Sequence, residues 1–259
     1  MAIVAAGLAL GLATQAAAAP DWVTTRKGPW THGAFDKDNL EKARPAPPFD
    51  LTGTWQMRND PKTGGFNFIP LAKFTPAGQK VWDAYNEMLA KNGEYYDDAG
   101  HCWPSGMPRW LTRFWPIQYF QYPTVIVGIQ ALLNSNRWIY LDGRGHADPD
   151  ITAPTYNGDS IARWEGDTLV IHTNELEASH HWITHGIPMS DQLEITERIR
   201  MAPDKQSFTN EITMVDPVNW VGEWKNTKTY IRQKGIDPVE SECLPEGNVI
   251  DLFSSAPAK

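Results

Sequence analysis

The feature that most restricts the fold of this chain is the regular succession of short strands in its second half. From residue 117 onward, apolar and β-branched runs of strand length follow one another, each closed by turn-forming residues. Residues 123–129 form one such run, and residues 137–142 form another that Gly143 closes. Residues 160–164 and 168–173 flank Glu165-Gly166-Asp167, a Gly-centred hairpin turn. Residues 193–201 and 207–215 flank a reversal marked by Pro203-Asp204, and residues 223–232 supply a last strand. Strands this close together, joined by hairpin turns, predict a mainly β, antiparallel barrel or sandwich rather than parallel βαβ units.

The first half differs. Residues 20–50 carry little periodicity and end in Pro45, Pro47 and Pro48, which predicts an irregular N-terminal arm. A strand over residues 50–57 then begins the body of the fold, which runs over 51–245 and leaves a C-terminal tail at 246–259. One helix is expected near 76–91. Thr75 is its N-cap, Pro76 suits the first helical position, and Asn92-Gly93 stops it. Val81, Tyr85, Met88 and Leu89 fall at helical spacing as one apolar stripe.

The chain opens on an Ala- and Leu-rich apolar run, followed by small residues before Pro20 and Asp21. That pattern matches a secretory signal peptide over 1–19, and the run is too short for a membrane span. The expectation is an exported protein, periplasmic or extracellular. A net charge of −8 without a basic cluster argues against nucleic acid or an anionic membrane as partner. Export gives the two cysteines meaning. A bridge between Cys102 and Cys243 would close a long loop and stabilise by about 4–5 kcal/mol. The alternative is a reactive Cys102 beside His101.

Gly53-Thr54-Trp55 on the first strand resembles the Gly-x-Trp signature of lipocalin-type barrels. That resemblance implies a Trp closing one end of the barrel against an Arg from a late strand, with Arg232 as the partner, and makes the helix an insertion. A longer stretch, residues 50–245, resembles a family of exported bacterial proteins. It is carried by Cys102-x-Pro-x-Gly-Met-Pro, Ile139-Tyr140-Leu141-Asp142-Gly143-Arg144-x-His146, Trp164-Glu165-Gly166-Asp167-Thr168-Leu169-Val170 and Glu197-Arg198. Members of that family often carry a His before the Ser at position 190, where this chain has Met189. A site using that His does not carry over.

Strand alternation singles out further residues. Leu193, Ile195, Ile199 and Met201 share one face with Glu197 in their midst, and Phe208, Ile212 and Met214 share a face with Asn210. Glu197 and Asn210 therefore project into the apolar interior. A buried carboxylate is paired or holds its proton more tightly, so Glu197 is either half of an ion pair, with Arg144 or Arg163, or a functional acid. Asp142, Arg144 and His146 alternate along an extended segment with Gly143 and Gly145 between them. They either orient an anionic or carbonyl group beside His146 as acid or base, or simply anchor a loop. His181 and His185 have metal-ligand spacing if helical, although Gly186 and Pro188 favour a loop. Among 12 tryptophans, Trp138 and Trp164, with Tyr140, suit an aromatic ligand surface.

The function expected from these residues is binding of a small, largely apolar or aromatic molecule by a lipocalin-like barrel. The barrel is either a carrier or a cofactor-free acid–base enzyme, a lyase, isomerase or cyclase, with Glu197 and His146 as its acid and base. Two other classes stay open: a metal-dependent enzyme holding zinc or copper on histidines, and a Trp-rich carbohydrate-binding module.

Overall fold

The computed structural model describes residues 19–93, 97–184, 186–239 and 243. The expected signal peptide (save Ala19), the tail at 246–259 and His185 lie outside the described residues. Nine strands close into a barrel in sequence order. They are β1 (Gly53–Met57), β2 (Ile117–Gln121), β3 (Val125–Gln130), β4 (Ser135–Tyr140) and β5 (Asp159–Glu165). After them come β6 (Thr168–Asn174), β7 (Glu194–Met201), β8 (Ser207–Val215) and β9 (Glu223–Gln233), which returns to pair with β1.

The mainly β, closed architecture matches the expectation, with one departure. β4 and β5 run parallel, with Ile139 opposite Ser160 and Tyr140 opposite Ile161, while every other pairing is antiparallel. A parallel pair cannot be joined by a hairpin, so residues 141–158 cross the outside of the barrel between them. That crossover builds the site described below.

Burial alternates along β8 and β9 as the pleat requires, whereas β6 is buried on both faces. Phe208, Asn210, Ile212 and Met214 of β8 face inward, and so do Trp224, Asn226, Lys228 and Tyr230 of β9. Trp55 is fully buried and donates its indole N–H to Leu51 O at 2.8 Å. The Arg232 guanidinium carbon lies 4.1 Å from the Trp55 ring centre, and Nη1 donates to Thr52 O at 2.9 Å. This is the Trp–Arg closure expected from the Gly-x-Trp motif. Gly53 makes room for it: a Cβ there would stand 2.3 Å from Arg232 Nη1, and its φ of +135° is one that side-chain-bearing residues rarely adopt.

The helix α1 (Lys37–Glu41) interrupts the arm, which is otherwise irregular. The arm is nevertheless docked on the barrel. Thr25 bridges to His146, and the Thr124 hydroxyl donates to Ala34 O at 2.7 Å. The helix α2 (Pro76–Asn92) starts as predicted, Thr75 accepting from Gly78 N at 3.1 Å, and ends at Gly93. Its stripe is narrower than the spacing predicts. Tyr85 is buried, packed on Trp82 and Trp182, whereas Val81 is exposed. Cys102 and Cys243 are bonded, so Cys102 is not a free thiol. Among the described residues no helix is long and apolar enough to cross a membrane.

Candidate active site

Register decides which candidate residues can act together. Residues paired across strands share a face of the barrel wall. Ser160, Thr173 and Ile195 form one inward row, and Ala162, Ile171, Glu197 and Ile212 form the next. Tyr140, Ile161, His172 and Thr196 form an outward row between them. Glu197 therefore points into the barrel, while the His172 ring that touches His146 lies outside the wall. The pairing of Glu197 with His146 as acid and base is corrected by this geometry: a sheet separates them.

Inside, Glu197 is an ion pair. Arg137 Nη2 donates to its Oε1 at 2.6 Å and Asn210 Nδ2 to its Oε2 at 2.6 Å, with both charged side chains 1% exposed. Arg137 is held further by the Thr173 hydroxyl at 2.8 Å and the Ser160 hydroxyl at 3.1 Å. The partner is neither Arg144 nor Arg163. Arg144 forks onto Asp142 at 2.8 and 2.5 Å, and Arg163 pairs with Glu165. Register explains the choice, because Arg137 shares the inward face of β4 with Ile139.

Asp142 and Arg144 anchor the arm and the aromatic surface. Asn39 donates to Asp142 at 3.0 Å, and Arg144 lies over the rings of Tyr140 (4.2 Å) and Trp30 (4.9 Å). Burial pushes the Asp142 carboxyl up, but the hydrogen bonds of Arg144 and Asn39 together hold it below its ordinary value.

His146 leaves that pair and joins a different group. Its Nδ1 lies 2.9 Å from Asp159 Oδ2 and its Nε2 lies 2.8 Å from His172 Nδ1. His172 Nε2 lies 3.6 Å from Glu194 Oε2. Both rings are buried beneath the arm, whose Thr24 and Arg26 bracket His146 through backbone bonds. Asp159 reaches the surface of a cleft of about 450 Å³ lined by Trp30, Trp138, Tyr140, Tyr156, Asp159 and Glu175, among others.

Two features of Glu175 mark this cleft. Its φ of +52° is left-handed, a strained conformation for a residue with a side chain. Burial, with the Asp159 charge beside it, raises its carboxyl above the ordinary value. Such strain and such shifts concentrate at working sites. The cleft thus brings one carboxylate backed by imidazole and one carboxyl inclined to hold its proton against two aromatic walls.

Of the four residues expected to touch a ligand, Trp138 and Tyr140 line this cleft. Trp164 packs edge-on against Phe49 and lines a separate groove of about 810 Å³ with Arg44, Leu141 and Asp142. Asn210 serves the interior ion pair. His181 is buried with Nδ1 3.0 Å from Glu177 O, and desolvation lowers its affinity for a proton. His180 stacks on Trp103 at 4.2 Å and faces Asp98 at 3.5 Å. Among the described residues no three His, Cys, Asp or Glu side chains converge to hold a metal ion.

Sequence reasoning missed Asp159, His172, Glu175, Glu194 and the interior cation Lys228. The alternation that placed Glu197 inward places Lys228 inward equally, between Trp224 and Tyr230. The ammonium donates to the carbonyls of Thr63, Gly65 and Asn67 at 2.8, 2.9 and 2.5 Å, and burial lowers its pKa to about 8. No model of a known protein family matches the chain, and no curated protein is similar to it.

Proposed function

We propose that this chain is an exported, lipocalin-like barrel that binds a small aromatic or largely apolar molecule in the outer cleft. Asp159 acts there as a general base in a cofactor-free lyase, isomerase or cyclase step. The observation that carries this reading is a carboxylate opening onto an aromatic cleft while a buried imidazole pair stands behind it. Trp138 and Tyr140 offer flat apolar surface, and the cleft volume of about 450 Å³ suits a small ligand. Asp159 takes the proton, and Glu175, whose carboxyl is raised, returns one to the same molecule. The Trp55–Arg232 closure supports the lipocalin-like assignment, and the Cys102–Cys243 bridge supports passage through an oxidising compartment.

The test starts from protein recovered from the periplasm, weighed in native and in denatured form. An organic mass lost on denaturation identifies the bound molecule. Trp138→Ala is expected to lose that mass. Asp159→Asn is expected to keep it and to convert the recovered compound at a rate lower by about 10²–10⁴-fold. Turnover unchanged in Asp159→Asn would sink the acid–base reading, and retention of the mass in Trp138→Ala would place the ligand elsewhere.

A further inference from the structure

The outer cleft carries more aromatic and anionic surface than a purely apolar ligand needs. Trp30, Trp138, Tyr140 and Tyr156 line it, and its two acidic residues are Asp159 and Glu175. The cationic residue of the lining is Arg137, whose guanidinium is committed inside the barrel: the side chain is 1% exposed and paired with Glu197. Among the described residues no other Lys, Arg or His lines the cleft. Asp159 also keeps an oxygen in reserve. Its contacts with His146 Nδ1 at 2.9 Å and Ala147 N at 2.8 Å both fall on Oδ2, which leaves Oδ1 for the bound molecule.

An aromatic ring is negative at its face and attracts a cation placed over it. Two rings of the cleft are already matched in this way. Arg144 stands 4.2 Å from the Tyr140 ring centre and 4.9 Å from that of Trp30, and Arg26 stands 5.1 Å from Trp30. Neither arginine lines the cleft, and the fork onto Asp142 neutralises Arg144. Arg26 puts positive charge beside Trp30, so a second cation belongs at the other rings. Among the described residues no cation stands over Trp138 or Tyr156, and Trp138 is 40% exposed.

We propose that the molecule bound in the outer cleft is an organic cation, an ammonium group bearing alkyl or aryl substituents, seated against Trp138 and Tyr156 and balanced by Asp159 and Glu175. The substituents matter because aromatic walls offer few acceptors to replace the hydration of a bare ammonium, and carbon on the nitrogen weakens that hydration. Glu175 agrees with a missing counter-charge. Burial raises its carboxyl and the Asp159 charge raises it further, and a cation beside the two carboxyls reverses the second effect. A net charge of −8 draws cations toward the chain as a whole. This proposal rests on the reading of the outer cleft as the binding site and not on Asp159 as the base. The positive group is a handle for binding and adds no step to the proton transfer.

Calorimetric titration of the full chain at neutral pH compares choline with its neutral isostere, in which carbon replaces the nitrogen, and with benzyl alcohol. Choline should bind more tightly than the isostere by about 10-fold or more. Glu175→Gln and Trp138→Ala should each weaken choline by about 3–5-fold, and Glu175→Gln should leave the isostere unchanged. Equal binding of choline and the isostere overturns the proposal. So does a preference for choline that both variants leave intact, which would place the cation elsewhere on the acidic surface. Benzyl alcohol binding that Trp138→Ala abolishes, without any preference for choline, removes the cation and keeps the aromatic cleft. No binding of any of the three compounds removes both.

Discussion

Replacing Glu197 by Gln separates a structural role from a chemical one. The carboxylate is 1% exposed and holds Arg137 at 2.6 Å, and among the described residues the guanidinium is otherwise hydrogen-bonded by the hydroxyls of Ser160 and Thr173. Removing one partner of a buried pair leaves the other charge uncompensated, which costs about 3–5 kcal/mol. Part of that returns. The Asn210 Oδ1 atom is buried without a partner, so its amide can turn and accept from the new Gln Nε2, recovering about 1 kcal/mol. The net loss is about 2–4 kcal/mol, which lowers the melting temperature by roughly 5–15 °C in a chain of this size. Urea unfolding followed by tryptophan fluorescence reads the difference. Turnover at a temperature where the variant is folded should be unchanged, because Glu197 faces the interior and the cleft lies outside. The double variant Arg137→Met with Glu197→Leu should recover most of the stability, since it removes both charges. A loss under about 1 kcal/mol accompanied by loss of turnover would refute this reasoning and return Glu197 to the chemistry.

Lys228 gives a pH-dependent signature. Its folded pKa of about 8 lies below the unfolded value of 10.5, so the unfolded chain binds the proton more tightly. Native stability should therefore rise relative to Lys228→Met as pH climbs from about 8 toward 10.5. Parallel stability–pH curves for the two proteins would contradict the buried, desolvated ammonium. The Cys102–Cys243 bridge spans 141 residues, and in the chain-entropy model a loop of that length stabilises by about 5 kcal/mol. The double Cys→Ser variant should lose about 3–5 kcal/mol in urea unfolding, and a loss near zero would show that the bridge adds little to the barrel.

The strands are legible because each of eight runs is either alternating or continuously apolar and β-branched, with turn-forming residues nearby, as in residues 160–173 around Glu165-Gly166-Asp167. The strand β2 has no such mark, since Ile117–Gln121 mixes Gln and aromatics without clear alternation. The parallel pairing of β4 with β5 has no local mark either. It follows from how the barrel closes. The inward positions of Glu197 and Asn210 were read correctly because alternation needs only one strand. The identity of the partner needs the register between strands, which is why sequence alone points to Arg144 and Arg163 rather than to Arg137. The candidate site was harder for the same reason. Asp159 opens one strand, His172 sits within an apolar run, His146 belongs to the crossover, and Glu194 opens a third strand. Spacing along the chain says nothing about their meeting. Of the residues that sequence alone points to, Trp138, Tyr140 and His146 are found in the expected neighbourhood.

A crystal structure of the chain with its recovered ligand retained would locate the bound molecule. It should lie against Trp138 and Tyr140, with a proton-bearing atom about 2.6–3.2 Å from Asp159 Oδ1. A ligand lodged instead beside Trp164 in the other groove, or within the barrel against Glu197, would contradict it.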